Sequence, residues 1–147
     1  MNRLAAIGIV VSTMVLSGCS YIGSFLICNF SGSEIMVTYR TKTAMSSMQL
    51  FSNSPDVFQA SLDGDEVVLG QDTLIPFELK DGIKIIVPHG FALNTGDDVN
   101  AWMHEKEQYA DLEEIVIAQG TDTTRLTGTI LSSFVRDLGS GKGLVIK

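Results

Sequence analysis

Few side chains in this sequence carry a spacing that chemistry could use. His104-Glu105-Lys106-Glu107-Gln108 comes nearest. Two imidazoles one helical turn apart would hold zinc while the intervening Glu activates its water, but the second imidazole position is occupied by Gln108. His104, Glu107 and Asp111 keep the three- and four-residue spacing of one helix face, which makes them weak metal candidates beside the plainer reading of a solvated acidic face. Gly139-Ser140-Gly141-Lys142-Gly143 has the glycines of a phosphate loop without its frame. Arg136 stands where a glycine is required, and Gly143 stands where Ser or Thr would hold magnesium, so a flexible turn explains the segment. Leu62-Asp63-Gly64-Asp65-Glu66 gathers carboxylates around a glycine but lacks the alternation and closing Glu of a calcium loop; it reads as a polar turn. His89, between Val87-Pro88 and Gly90, lies at an expected strand end, where catalytic histidines and structural loop histidines both occur. No Gly-x-Ser-x-Gly nucleophile elbow is present. These fragments assemble no catalytic set, and they imply no cofactor.

Charge is distributed unevenly. Asp97, Asp98, Glu105, Glu107, Asp111, Glu113 and Glu114 place seven of the seventeen acids in the segment 97–114, countered there by Lys106 alone. Such a surface could steer a basic partner or simply keep the domain soluble. Asp97, Asp98, Glu113 and Glu114, with Trp102, the only tryptophan, are weak partner-contact candidates. Seventeen acids against ten bases, with no basic cluster, argue against nucleic acid, whose phosphates are bound chiefly by clustered Lys and Arg.

The most specific chemistry is at the beginning of the chain. Met1-Asn2-Arg3 is a short positive region, and Leu4 to Leu16 follows with no ionisable side chain. Thirteen helical residues would span roughly 20 Å, short of a hydrocarbon core of roughly 30 Å, so the anatomy is that of an export signal. Leu16-Ser17-Gly18-Cys19 then resembles the lipobox of bacterial lipoproteins at all four positions. The resemblance implies cleavage before Cys19, whose thiol would carry a diacylglyceryl group and whose new amino group would usually be acylated. Two or three acyl chains hold a protein on a bilayer, where one binds only marginally. Ser20, in place of the Asp that favours inner-membrane retention, implies the outer membrane facing the periplasm in a host with two membranes. A single uncleaved helix over 4–30 is the competing reading; Ser17, Gly18, Ser20 and Gly23 weigh against it as small, helix-weak residues where cleavage would fall.

The expected organisation is a cleaved signal at 1–18, a lipidated N-terminus and short tether at 19–24, and one globular domain at 25–147. With 45% hydrophobic and 18% charged residues, the chain has ordinary globular composition. After cleavage, seventeen acids and nine bases leave a charge of −8 before termini. With Cys19 acylated, Cys28 is the only remaining thiol; inside Phe25-Leu26-Ile27-Cys28-Asn29-Phe30 it reads as a small buried hydrophobe rather than a bridge between chains.

The elements that must position any site read as strands. Ile35, Val37 and Tyr39 alternate with polar residues, and Ser31-Gly32-Ser33 before them suggests a hairpin over 25–40. Ile75, Phe77 and Leu79, then Asp81-Gly82, then Ile83, Ile85 and Val87 suggest a second hairpin, with Pro76 marking an edge strand. Val67-Val68-Leu69, Ile115-Val116-Ile117 and Leu144-Val145-Ile146 add three strands. Helical spacing over about 98–110 and 129–138 predicts two short helices, and Ser54-Pro55-Asp56 could open a third. The expected fold is mainly β: a small antiparallel sandwich or open barrel. Its expected function is that of a membrane-anchored module binding another envelope protein. The alternative is a periplasmic enzyme or ligand or metal carrier using His89, His104 and the acids of 97–114.

Overall fold

A computed structural model describes residues 22–45, 49–99 and 109–147. In chain order the elements are β1 (Ile22–Asn29), β2 (Ile35–Thr41), β3 (Asp56–Asp63), β4 (Glu66–Thr73), β5 (Phe77–Leu79), β6 (Ile83–Val87), β7 (Phe91–Val99), β8 (Leu112–Gln119), β9 (Asp122–Leu126), α1 (Gly128–Leu131), β10 (Arg136–Asp137) and β11 (Lys142–Ile146). They form a β-sandwich: a six-stranded sheet in the order β10-β11-β1-β7-β3-β4 and a five-stranded sheet in the order β5-β6-β2-β8-β9. All pairings are antiparallel except that of β1 with β11. At one point in that parallel pair a Cβ on Gly143 would lie 1.8 Å from the Leu26 carbonyl oxygen, so only glycine fits.

Alternation explains the five-stranded sheet. Ile35, Val37 and Tyr39 of β2 lie beside Ile83, Ile85 and Val87 of β6, all buried, while the residues between them face outward. They meet Phe25 and Ile27 of β1, Leu93 of β7 and Leu144 of β11 in the space between the sheets. Phe51 packs there between the Phe25 ring, 5.1 Å away, and the Tyr39 ring, 5.9 Å away. Tyr39 donates its hydroxyl to the Ser52 carbonyl at 2.7 Å, so its polar tip is satisfied inside the core, and burial pushes its pKa up.

The continuous run Phe25-Leu26-Ile27-Cys28 has a different cause: β1 is buried on both faces. Leu26 and Cys28 belong to a second apolar cluster with Ala92, Val67 and Leu138. The β3–β4 hairpin reaches the segment after β10, where the Val67 N–H donates to the Leu138 carbonyl at 2.9 Å and the Ser140 hydroxyl donates to the Val67 carbonyl. These two bonds lie over the cluster without continuing as a ladder, so the six-stranded sheet curls but no barrel closes.

Several expected elements are corrected. β1 and β2 do not pair as a hairpin; the turn between them carries the chain from one sheet to the other. Buried Asn29 explains that arch. Its amide donates to the carbonyls of Val87 and Ser33, and its oxygen accepts from the N–H and hydroxyl of Ser31, filling its capacity. The expected tether also ends early, since β1 begins at Ile22, and a continuous helix over 4–30 is not formed because residues 22–29 are a strand. Of the helix expected at 129–138, only α1 exists. Leu131 anchors in the main core and Leu138 in the second cluster, so the helical spacing reflects two separate anchors rather than one helix face. Of the helix expected at about 98–110, Asp98 and Val99 instead finish β7, and residues 100–108 lie outside the described residues. Asp56 starts β3 rather than a helix. The β5–β6 hairpin forms as expected, with β5 at the sheet edge just after Pro76.

Candidate functional site

The outer face of the five-stranded sheet carries an ordered set of charged and polar groups. Strand pairing places Glu78, Lys84, Thr38, Val116 and Arg125 in one row across all five strands. In the next row Arg40 of β2 stands opposite Glu114 of β8. The register shifts between Arg40 and Thr41, so Glu113 is the extra residue of a bulge, and the Glu113 carboxylate also comes within 3.8 Å of the Arg40 guanidinium. On the far side Gly82, at φ +130°, lets the β5–β6 turn approach Arg40: a Cβ there would lie 2.5 Å from both the Tyr39 carbonyl oxygen and the Arg40 Cγ.

Glu114 is the centre of this arrangement. Its side chain is only 11% exposed, and its two carboxylate oxygens accept separately from Arg40 and Arg125. The Arg125 hydrogen bond, outweighing the effect of burial and joined by the charges of Arg125 and Arg40, holds the carboxyl below its ordinary pKa. The Arg40 Nε is buried without an acceptor, so this guanidinium is oriented at a desolvation cost. Lys84 reaches Glu78 at 3.7 Å. Together Arg40, Lys80, Lys84 and Arg125, facing Glu78, Asp81 and Glu114, line a shallow groove of about 410 Å³. Four of the ten bases of an acidic chain thus converge here. Along the same sheet face, towards the β1–β2 arch, Met36 and Ile86 lie side by side, 36% and 48% exposed.

A second concavity opens where the sheets part at β9 and β10. It measures about 210 Å³ and is lined by Ile117, Leu126, Leu144, Ile146 and Phe134, with Asp122 and Arg136 also on its wall.

The sequence-predicted residues are dispersed. Asp97 accepts from Ser24 at 2.6 Å and Asn94 at 3.0 Å, pinning the end of β7 to β1, and Asp98 is its neighbour. Asp111 accepts from the Thr43 hydroxyl at 2.6 Å in the turn before β8. Glu113 and Glu114 lie on β8, and Glu114 is turned into the arginine pair rather than towards the other acids. His89 sits in the turn just before β7, at the opposite end of that strand from Asp97, and the stretch from Phe91 to Asp97 alone spans roughly 20 Å at about 3.3 Å per residue. Its Nδ1 accepts the Gly32 N–H at 3.0 Å, which staples the β6–β7 turn to the β1–β2 arch. Among the described residues no three His, Cys, Asp or Glu side chains come together as metal ligands. Cys19, Trp102, His104 and Glu107 lie outside the described residues. Cys28 is buried and free, and burial pushes its thiol up to about 12. Sequence reasoning missed Arg40, Lys84 and Arg125. Their only sequence signal was their place on the polar side of alternating strands, and the pairing that joins them across the sheet is not local.

Among the described residues no helix is long and apolar enough to cross a membrane. Comparison with family models, curated proteins and solved structures finds no match to this chain.

Proposed function

We propose that the chain is a bacterial envelope lipoprotein, anchored through acylated Cys19, whose β-sandwich binds or assembles with another envelope protein. In a host with two membranes, Ser20 favours the outer membrane facing the periplasm. The observation that carries the binding role is the contrast between the sheets. The six-stranded sheet covers its own outer apolar cluster, whereas the five-stranded sheet leaves Met36 and Ile86 uncovered beside an ordered charged groove. Anchoring confines both partners to one surface and raises their effective concentration, so an interface of modest affinity suffices.

Two measurements test this reading separately. Radiolabelled palmitate enters the wild-type protein and not Cys19→Ser; incorporation unchanged by that substitution removes the anchor. A photo-crosslinking residue at Met36 or Ile86 gives one discrete adduct in intact envelopes, while the same residue at Leu62 or Val68, similarly exposed on the β3–β4 hairpin, gives none. Equal adducts from both sheets would refute the assigned face.

The concavity at β9 and β10 favours a second reading, a carrier of a small amphipathic ligand, because its lining combines the main-core side chains Ile117, Leu126 and Leu144 with one charge of each sign, Asp122 and Arg136. Chemical-shift changes confined to Leu126 and Leu144 on adding an apolar carboxylate would support it over the protein-binding role.

A further inference from the structure

The structure identifies which end of the sandwich would meet the bilayer. β1 begins at Ile22, so only Ser20 and Tyr21 separate it from Cys19. Three extended steps of about 3.6 Å span at most about 11 Å, less than the body of the domain, so Cys19 stays close to the end at which β1 starts. If acyl chains hold Cys19 at headgroup level, the end of the sandwich where β1 starts is pressed against that surface. We infer that this end, through exposed Ile22, Leu79 and Ile130, is a seat for a bilayer surface of zwitterionic headgroups. The inference rests on the lipoprotein reading.

Topology names the other members of that end. β7 finishes there, since Gly23 pairs with Asp98 and Ser24 with Asp97. β8 starts there: Thr41 pairs with Leu112, and the Lys42 N–H donates to the Asp111 carbonyl at 2.8 Å. The row Leu79-Ile83-Tyr39-Ile115-Leu126 crosses the other sheet near the same level, tied to β7 by Tyr39, whose hydroxyl lies 3.4 Å from the Thr95 carbonyl. α1 follows directly after Leu126 and Thr127. The opposite end holds the His89 staple and the β8–β9 turn at Gly120.

Among the described residues, Ile22 at 64%, Leu79 at 57% and Ile130 at 49% are exposed apolar side chains at this end. An apolar side chain inserted at the headgroup boundary gains burial that water denies it. The charge there selects the lipid. Among the described residues there, Asp81, Asp97, Asp98, Asp111, Glu113 and Glu114 outnumber Arg40, Lys42, Lys80 and Lys142, so headgroups with net negative charge are repelled and zwitterionic headgroups with an outward ammonium are accepted. This orientation points the β1–β2 arch away from the membrane and leaves the face bearing Met36 and Ile86 open sideways to a partner.

The test uses the full chain purified from its membranes. Intact mass comes first: an unacylated Cys19 ends the lipoprotein reading and, with it, the seat. On acylated protein, an environment-sensitive fluorophore is attached at Ile130→Cys, Leu79→Cys or Ile86→Cys; acylated Cys19 and buried Cys28 leave the new thiol as the reactive one. In vesicles of brominated phosphatidylcholine, quenching at 130 and 79 should exceed that at 86 by about threefold, because an interfacial side chain sits within about 5–10 Å of the acyl boundary. Replacing part of the lipid with phosphatidylglycerol should weaken quenching at 130 about twofold at low salt and restore it at high salt, where charges are screened. Quenching at 86 equal to or above that at 130, with acylation intact, overturns the assigned end while leaving the anchor standing. Insensitivity to phosphatidylglycerol overturns the headgroup preference.

Discussion

The two outer faces of this sandwich were built from the same kind of strand and ended differently. On the six-stranded sheet, Leu26, Cys28 and Ala92 point outward, yet each is fully buried, because Val67 from the β3–β4 hairpin and Leu138 from the segment after β10 close over them. On the five-stranded sheet, Met36, Ile86 and the charged row stay open, and nothing among the described residues folds across them. One face is therefore a stability element and the other is surface. Substitutions on the first should cost folding, and substitutions on the second should cost contacts.

The largest expected effect breaks the covered face at its tightest point. Gly143→Val would put side-chain atoms where the Leu26 carbonyl already lies 1.8 Å from an added Cβ, and backbone on both sides cannot yield. The variant should fail to accumulate as folded protein, a loss above about 4 kcal/mol, visible as a missing unfolding transition. A cooperative transition near that of the wild type would mean β1 and β11 are not paired in this register. Leu138→Ala is the graded version. Leu138 is 1% exposed and closes the second cluster, so its truncation should cost about 2–5 kcal/mol by denaturant titration. A cost below about 1 kcal/mol would show the cover to be dispensable.

Glu114 lies on the open face yet is itself held, and it should fall between the two classes. Arg40 and Arg125 are 40% and 60% exposed, so solvent screening limits the loss in Glu114→Ala to about 1 kcal/mol. The pH dependence has a definite sign. Glu114 titrates lower when folded than the ordinary 4.5, so its contribution is complete above pH 4.5 and disappears as pH falls through the lower folded value. Wild-type stability should drop over that acid range more steeply than that of Glu114→Gln; parallel curves would remove the arginine clamp. Cys28 should reveal itself by reactivity rather than stability. With its thiol raised to about 12, it should resist a thiol reagent at pH 8 in the native state and react on unfolding, and the chain should run as a monomer without reductant. Rapid native labelling would contradict a covered outer face.

Legibility from sequence followed the same division. β2, β5, β6, β8 and β11 were visible because one-sided burial leaves a period of two or a compact apolar run, as in Ile35, Val37 and Tyr39. β7 was not, because its centre is the buried, mostly polar run Asn94-Thr95-Gly96: Asn94 is satisfied locally by Asp97, and the Thr95 hydroxyl by the distant Leu50 and Phe25 carbonyls. β3 is mostly exposed and carries little hydrophobic pattern, and of mostly exposed β4 only the run Val67-Val68-Leu69 was legible. The false helix at 129–138 arose because Leu131 and Leu138 share a helical spacing while serving different clusters. The charged groove was unreadable for a related reason. Arg40, Glu114 and Arg125 are far apart in the chain, and only the β2–β8–β9 register makes them neighbours.

The smallest stability effect carries the sharpest functional contrast. Ile86→Asp replaces a side chain that is 48% exposed on the open face, and Lys84→Glu reverses a charge whose partner, Glu78, is 75% exposed. Each should shift stability by no more than about 0.5 kcal/mol, because neither removes a buried contact. Each should nevertheless abolish the adduct formed from a crosslinker at Met36, since an interface loses most from an apolar anchor or a charge placed wrongly at its centre. The matched changes Leu62→Asp and Val68→Asp, on equally exposed side chains of the β3–β4 hairpin, should leave that adduct intact. Loss of the adduct from both sets would mean that the substitutions act through the fold, whereas loss from the five-stranded sheet alone isolates the partner surface from the scaffold that presents it.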